Sequence, residues 1–155
     1  MVFKKGKKPK QPDLKQVFDY ACWLLARRSY SQAELLEKFH KRFIPEEEIF
    51  FAALKKLVKL GLQSDENFTE SFVSLHDGWG RRRLELELKK KGIAEELIEK
   101  FLPDNSAELE RCKEALKIKL KNSPVPEDYR ARQKILAFLA RRGFGLDVIK
   151  VALRP

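Results

Sequence analysis

The sequence predicts an all-α protein, an elongated curved array of three tandem three-helix repeats, and three observations lead there. The stretch from His76 to Ile93, HDGWGRRRLELELKKKGI, recurs twice in degraded form, as YSQAELLEKFHKRFI from Tyr30 and DYRARQKILAFLARRGF from Asp128. Apolar positions line up across the three copies at intervals of roughly 50 residues. Leu35, Leu84 and Ile135 correspond, as do Phe39, Leu88 and Leu139, then Ile44, Ile93 and Phe144, then Ile49, Ile98 and Ile149. Finally, 43% of residues are apolar, only 7 are Gly and 7 Pro, and no alternating pattern persists long enough for a strand. Such an interval leaves room for three helices per repeat, each repeat burying a small core and sharing an interface with its neighbour.

The expected segments are a basic arm over residues 1–12 and repeats over 13–63, 64–104 and 105–155. The arm carries Lys4, Lys5, Lys7, Lys8 and Lys10, no acid and two prolines, a composition that does not bury a core. It is either a contact for a phosphate backbone or acidic patch, or a solubilising tail. The first repeat opens with a helix over Asp13 to Arg28, whose buried stripe is Val17, Tyr20, Ala21, Leu24 and Leu25. Ser31 and Glu34 then form a capping box, with Tyr30 and Leu35 placed as a hydrophobic staple. Trp79 and Leu84 repeat that placement, which gives Trp79 a structural role in setting a helix entry angle. Pro45 suits the first turn of a third helix that ends at Gly61, and three glutamates follow it at the positive end of the helix dipole.

In the second repeat, Ser64 or Asp65 caps a helix whose inner face is Phe68, Phe72 and Val73. Gly78 and Gly80 introduce the next helix, which Lys89, Lys90 and Lys91 close and Gly92 stops in the position where a left-handed residue ends a helix, and a short helix spans Ala94 to Leu102. The third repeat opens with a helix from Asn105 to Lys121, with a cap-like Asn105-Ser106-Ala107-Glu108 and a stripe of Leu109, Cys112, Leu116 and Leu120. Asn122 to Pro126 is an irregular linker, followed by helices over Tyr129 to Arg142 and Leu146 to Leu153.

The residues offer little for catalysis. His40 and His76 are the only histidines and neither has a second ligand at metal spacing; no Walker-type loop accompanies Gly78 and Gly80, and no paired carboxylates sit in an apolar setting. No enzyme activity, metal or other cofactor is expected. Cys22 and Cys112 are far apart and outside any CxxC, which suits a reducing cytoplasm. No apolar run has the length of a membrane span or of a signal peptide, so a cytoplasmic monomer is expected.

Charge is the positive signal. Lys and Arg number 33 against 23 Asp and Glu, a formal +10, half of it in the arm. In the body, basic residues recur at the end of the second helix of every repeat: Lys41 and Arg42, then Lys89, Lys90 and Lys91, then Arg141 and Arg142. Helix dipoles favour a cation or two at such ends. Arg27, Arg28, Arg81, Arg82 and Arg83 at neighbouring helix ends exceed that need, so the twelve are candidates for a basic strip facing an anionic partner.

The motifs AxxLLARRSYSQAEL from Ala21, SDENFTESFV from Ser64, GWGRRRLELELKKKGI from Gly78 and KILAFLARRGF from Lys134 occur in the order and spacing of a known family. The chain resembles the bacterial regulatory protein RecX family over nearly its whole length after Pro12. That resemblance implies a protein of three three-helix units that lodges in the helical groove of the RecA recombinase filament and inhibits recombination, RecA ATPase and the SOS response. The basic strip fits such a partner, and on that reading Arg81, Arg82, Lys89, Lys90, Arg141 and Arg142 are expected to meet acidic residues of RecA or phosphates of bound single- or double-stranded DNA. The competing expectation is a general basic helical nucleic-acid-binding protein with no recombinase partner.

If the arm supplies five phosphate contacts, deleting residues 1–12 lowers the slope of log K against log salt on duplex DNA by about 4. An unchanged slope in a filter-binding titration assigns the arm to solubility alone.

Overall fold

The computed structural model describes residues 11–154, all of whose regular structure is helical. The arm lysines, Lys4, Lys5, Lys7, Lys8 and Lys10, lie outside the described residues. Among the described residues nine helices follow one another: α1 (Leu14–Leu25), α2 (Gln32–Arg42), α3 (Glu47–Lys59), α4 (Asp65–Leu75), α5 (Arg81–Lys90), α6 (Glu95–Phe101), α7 (Asn105–Leu120), α8 (Tyr129–Arg141) and α9 (Leu146–Ala152). None of the described helices is long and apolar enough to cross a membrane. The helices fall into two compact units, one ending at Phe68 with Lys91–Ile93 added, the other comprising Thr69–Lys90 and the chain from Ala94 onward.

In the first unit, local chemistry sets the helix starts. Asp13 caps α1, accepting from the Gln16 amide at 2.7 Å while the Gln16 side chain accepts from the Asp13 amide at 3.1 Å. Ser31 and Glu34 close the same reciprocal pair at the start of α2, at 3.1 Å each way. Pro45 stays outside α3, which starts two residues later with Glu46 as a cap that makes no side-chain bond. The core is Val17, Ala21 and Leu24 from α1, Leu35 and Phe39 from α2, and Phe50, Ala53, Leu54 and Leu57 from α3, closed by Phe43. Tyr20 and Leu25, expected in the stripe of α1, are only half-buried. Phe39 and Phe50 pack at 5.5 Å between ring centroids, and Tyr20 meets Phe43 edge-on at 5.6 Å.

Here the repeat register departs from the one predicted. Phe43, not Ile44, is the residue buried after α2, at 3% exposure against 38%. In α3 the shift has the opposite sense, for Phe50 is fully buried and Ile49 one residue before it is only half-buried. At Phe43 the cause is a missing glycine: α5 and α8 end on Gly92 and Gly143 with φ of +70° and +89°, whereas α2 ends on Phe43 in extended conformation. One residue fewer in the turn moves the buried position one residue earlier.

The turn Lys91–Ile93 completes the first unit. Ser31 Oγ, besides capping α2, donates to the Lys91 carbonyl at 2.6 Å, and Lys91 Nζ pairs with Glu34 at 3.0 Å. A Cβ on Gly92 would collide with Cβ of Ala33, so only glycine lets the turn approach this closely. Asp65 at the start of α4 accepts from the Gln32 amide at 2.9 Å and from Gln63 Nε2 at 2.7 Å. Ser64 is the cap there, its hydroxyl accepting from the Asn67 amide at 3.2 Å.

In the second unit, α7 packs on α9 and α8 around Cys112, Ala115, Leu116, Ile135, Leu139, Phe144, Ile149 and Leu153. The cap of α7 is Asp104, which accepts from the Ala107 amide at 2.8 Å; Asn105 is already helical. Leu109, expected in its stripe, is only half-buried, and Glu108 takes a buried place beside Cys112. Leu84, Leu88 and Ile98 are fully buried, as the alignment of repeats predicts.

Glu34 links the first unit to pH. Burial works to raise its carboxyl, but hydrogen bonds from Lys91 and the Ser31 amide, with the charges of Lys91 and Arg28, outweigh it and hold the group below its usual 4.5. The folded chain therefore binds this proton more weakly than the unfolded chain. The resulting stabilisation is complete above pH 4.5 and is lost as pH falls through the lower folded value. Glu34→Gln is expected to melt below the parent at neutral pH, with the gap in Tm closing on acidification; a gap that does not change with pH would exclude this carboxylate as its source.

Candidate binding surface

The surface begins with a difficulty in α5. Three arginines, Arg81 to Arg83, occupy its first turn, where the positive end of the helix dipole disfavours cations. The compensation comes from α7. Glu108, only 5% exposed, accepts from the Arg81 amide at 3.1 Å and so caps α5 from another helix. The Arg81 guanidinium itself turns inward to the Pro103 carbonyl at 2.7 Å and the Glu99 carboxylate at 3.5 Å.

The first turn of α5 then lies against the last turn of α8. The Gly80 amide donates to the Arg142 carbonyl at 2.9 Å, and the Arg82 amide donates to the Gly143 carbonyl at 3.2 Å. A Cβ on Gly80 would run into the backbone of Gly143 and Phe144, and one on Gly143 into Arg83. This contact carries Arg82 and Arg83 to the same place as Arg141 and Arg142.

Of the twelve cations singled out by the sequence, most are engaged within the protein. In the first unit, Arg27 stacks over Trp23 at 3.5 Å and donates to the Trp23 carbonyl at 2.9 Å. Arg28 stacks over Tyr30 at 3.6 Å and faces Glu34 at 3.5 Å, and Lys41 pairs with Glu37 one turn back. Arg42 lies 5.9 Å from the Tyr20 ring, and Lys91 is held by Glu34. In the second unit, Lys89 sits between Glu85 at 2.6 Å and Glu95 at 3.4 Å, and Lys90 meets Glu87 at 2.9 Å. Arg83 stacks over Trp79 at 4.0 Å, and Arg142 donates to the Gly78 carbonyl at 3.2 Å while lying 4.8 Å from the Phe138 ring.

Arg82 and Arg141 differ from the rest. Both are exposed, and among the described residues neither side chain has a hydrogen bond, ion pair or ring contact. They line one cleft of about 720 Å³ with Arg83, Arg142, Leu86 and Phe138. Its only carboxylate, Glu87, is held by Lys90. Such a cleft suits a carboxylate or phosphate, either of which a guanidinium can grip through two parallel hydrogen bonds.

Several residues that build this surface escaped sequence reasoning. Arg111 in α7 closes the end of α4, donating to the carbonyls of Val73 and His76 at 3.1 Å each; burial lowers its pKa, against the pull of Asp77. Glu108 read as part of a local cap, and Phe138 was not singled out at all. Their partners lie in other helices, so no local pattern marks them. Chemistry of other kinds finds little support in the second unit: burial, with the Glu108 charge adding, pushes the Cys112 thiol up to about 11, far from a nucleophile. Among the described residues no three His, Cys, Asp or Glu side chains gather as they would around a metal.

Comparison with known proteins agrees on one family. Residues 64–102 match the model of the RecX second three-helix domain, and residues 106–153 that of the RecX third three-helix domain. A regulatory protein RecX from Chlorobium phaeobacteroides (strain BS1) is 36% identical over 146 residues, covering 91% of this chain and 93% of its own. One from Ectopseudomonas mendocina (strain ymp) is 37% identical over 134 residues, covering 84% and 88%. Among solved structures, RecX from Lactobacillus salivarius superposes with a TM-score of 0.74 at 25% identity, over 91% of this chain and 94% of that one. A second regulatory protein RecX gives a TM-score of 0.75 at 21% identity and supports the fold.

The Gly143 contact is testable by comparison with Gly61. Both have positive φ, but a Cβ on Gly61 meets nothing within 4 Å. Gly61→Ala should therefore cost the backbone strain alone, about 1–2 kcal/mol, and Gly143→Ala clearly more. Equal losses in urea unfolding would mean that the α5–α8 contact yields at no cost.

Proposed function

Because the chain belongs to the RecX family of regulatory proteins, we propose that it binds the RecA recombinase filament in its helical groove and thereby inhibits recombination, RecA ATPase and SOS-related activities. The family is one of regulators rather than enzymes, and the mode of action in this reading is occupancy. A protein seated in the groove obstructs entry of duplex DNA and hinders the subunit motions that accompany ATP hydrolysis. The segments 13–63, 64–104 and 105–155 serve as the three modules that provide contacts.

The observation that carries this reading is the division among the twelve cations. Ten are engaged by carboxylates, carbonyls or rings of the protein itself, while Arg82 and Arg141 are unengaged and share one cleft. A regulator that acts by binding needs side chains whose hydrogen-bonding capacity is not already consumed. Exposed ion pairs contribute little in their own right, so Lys41, Lys89 and Lys90 supply long-range attraction, and the two free guanidiniums supply the specific grip. RecA acidic residues and the phosphates of its bound DNA are the anions available in that groove.

The test is retention on immobilised RecA, with and without single-stranded DNA and a non-hydrolysable ATP analogue. Filament-dependent retention is expected, and Arg82→Glu with Arg141→Glu should reduce it at least about tenfold, the worth of one charge-assisted hydrogen bond. Lys89→Gln with Lys90→Gln should change it far less. Undiminished retention of the arginine variant would exclude the cleft as the interface. Retention by DNA alone, with nothing added by RecA, would instead make this a general nucleic-acid-binding helical protein.

A further inference from the structure

Phe138 lies one residue before fully buried Leu139 on α8, so its ring falls at the edge of the buried stripe and is half-exposed. It forms a wall of two cavities at once. On one side is the arginine cleft. On the other is a cavity of about 710 Å³ whose lining includes Leu75, Ile118, His76 and Trp79. Leu75 and Ile118 are 79% and 70% exposed, among the most exposed large apolar side chains of the described residues. His76 stacks on Trp79 at 4.0 Å, and Arg83 covers Trp79 at 4.0 Å, so these rings form a fixed wall.

The two cavities differ in charge. Four arginines face one engaged carboxylate in the first. In the second, Asp77, Glu110 and Glu114 balance Arg111, Arg142 and Lys119, and both arginines point their donors at backbone carbonyls. A cationic cleft and a charge-balanced apolar cavity thus share a single aromatic ring. A strand of unpaired nucleotides has the matching alternation, an anionic phosphate beside an uncharged flat base. An acidic peptide would satisfy the cleft but would need a separate apolar residue for the cavity, and a duplex keeps its bases stacked inside.

We propose that the second unit binds single-stranded nucleic acid, with a phosphodiester gripped by Arg82 and Arg141 and a neighbouring base lying in the second cavity against Phe138. Lys119, whose ammonium is 4.9 Å from that ring, has an exposed stem and turns aside toward a phosphate as the base enters. Base–aromatic stacking combined with a basic groove binds strands without reading their sequence. The proposal requires no recombinase, so it stands or falls apart from filament binding.

The experiment is fluorescence anisotropy of the full chain with a fluorescein-labelled oligothymidylate, an abasic strand of equal length and a duplex of equal length, in the absence of RecA. The oligothymidylate should bind most tightly. Arg82→Ala with Arg141→Ala, both at exposed positions, should weaken it about tenfold or more and lower its salt slope by about 1.4, the value for two phosphates on a single strand. Phe138→Leu should weaken the oligothymidylate about tenfold and leave the abasic strand unchanged. Since Phe138 is partly buried, a second readout avoids altering it: in a Trp23→Phe chain Trp79 is the sole tryptophan, and the oligothymidylate but not the abasic strand should quench its emission. Equal affinity or equal quenching for the two strands, preference for the duplex, or parental binding by the arginine double variant would each overturn the proposal.

Discussion

A left-handed glycine at the end of one helix, covered by the first turn of another, is the constraint on which this structure turns. It occurs twice. Gly92 is pressed against Ala33 at the start of α2, and Gly143 against Arg83 at the start of α5. In the first case the contact is sealed by the Ser31 hydroxyl on the Lys91 carbonyl, in the second by the amides of Gly80 and Arg82 on the carbonyls of Arg142 and Gly143. Any side chain on the glycine would both strain the backbone and hold the helices apart. The turn after α2, which only α1 precedes, has no glycine, and its Phe43 is free to enter the core instead.

The same contact decides where charge becomes available. A net +10 suggests an extended basic surface, yet most of the recurrent basic side chains at the helix ends are neutralised locally, by i,i+3 and i,i+4 carboxylates or by stacking on rings. What remains distinctive is a pair of arginines remote in sequence and adjacent in space. Without the α5–α8 contact, Arg82 and Arg141 are two isolated surface charges; with it, they line one cleft.

This explains what could be read from the sequence and what could not. Helix identities were legible because they depend on local chemistry: Ser31 and Glu34 announce α2, Gly92 and Gly143 end α5 and α8, and the Leu84–Leu88 and Ile135–Leu139 pairs mark buried faces. The register of the first repeat was misread because Ile44 and Phe43 are equally apolar, and only the geometry of a glycine-free turn chooses between them. At the surface, the clustering of cations was visible but their engagement was not. For Lys41, Lys89, Lys90 and Arg83 the partner is within four residues, but Arg81 and Arg142 are occupied by the carbonyls of Pro103 and Gly78, remote in sequence. Glu108 is the sharpest case, an acid that looks like part of its own helix start and serves the start of α5.

The cleft also has a thermodynamic reach beyond recognition. Its two free guanidiniums stand on opposite sides of a contact made by two backbone hydrogen bonds. Any anion that spans them favours the closed contact over the open one, since the opened chain cannot present both charges together. Occupancy of the cleft would therefore be coupled to local rigidity, with amide exchange at Gly80 and Arg82 expected to slow on binding.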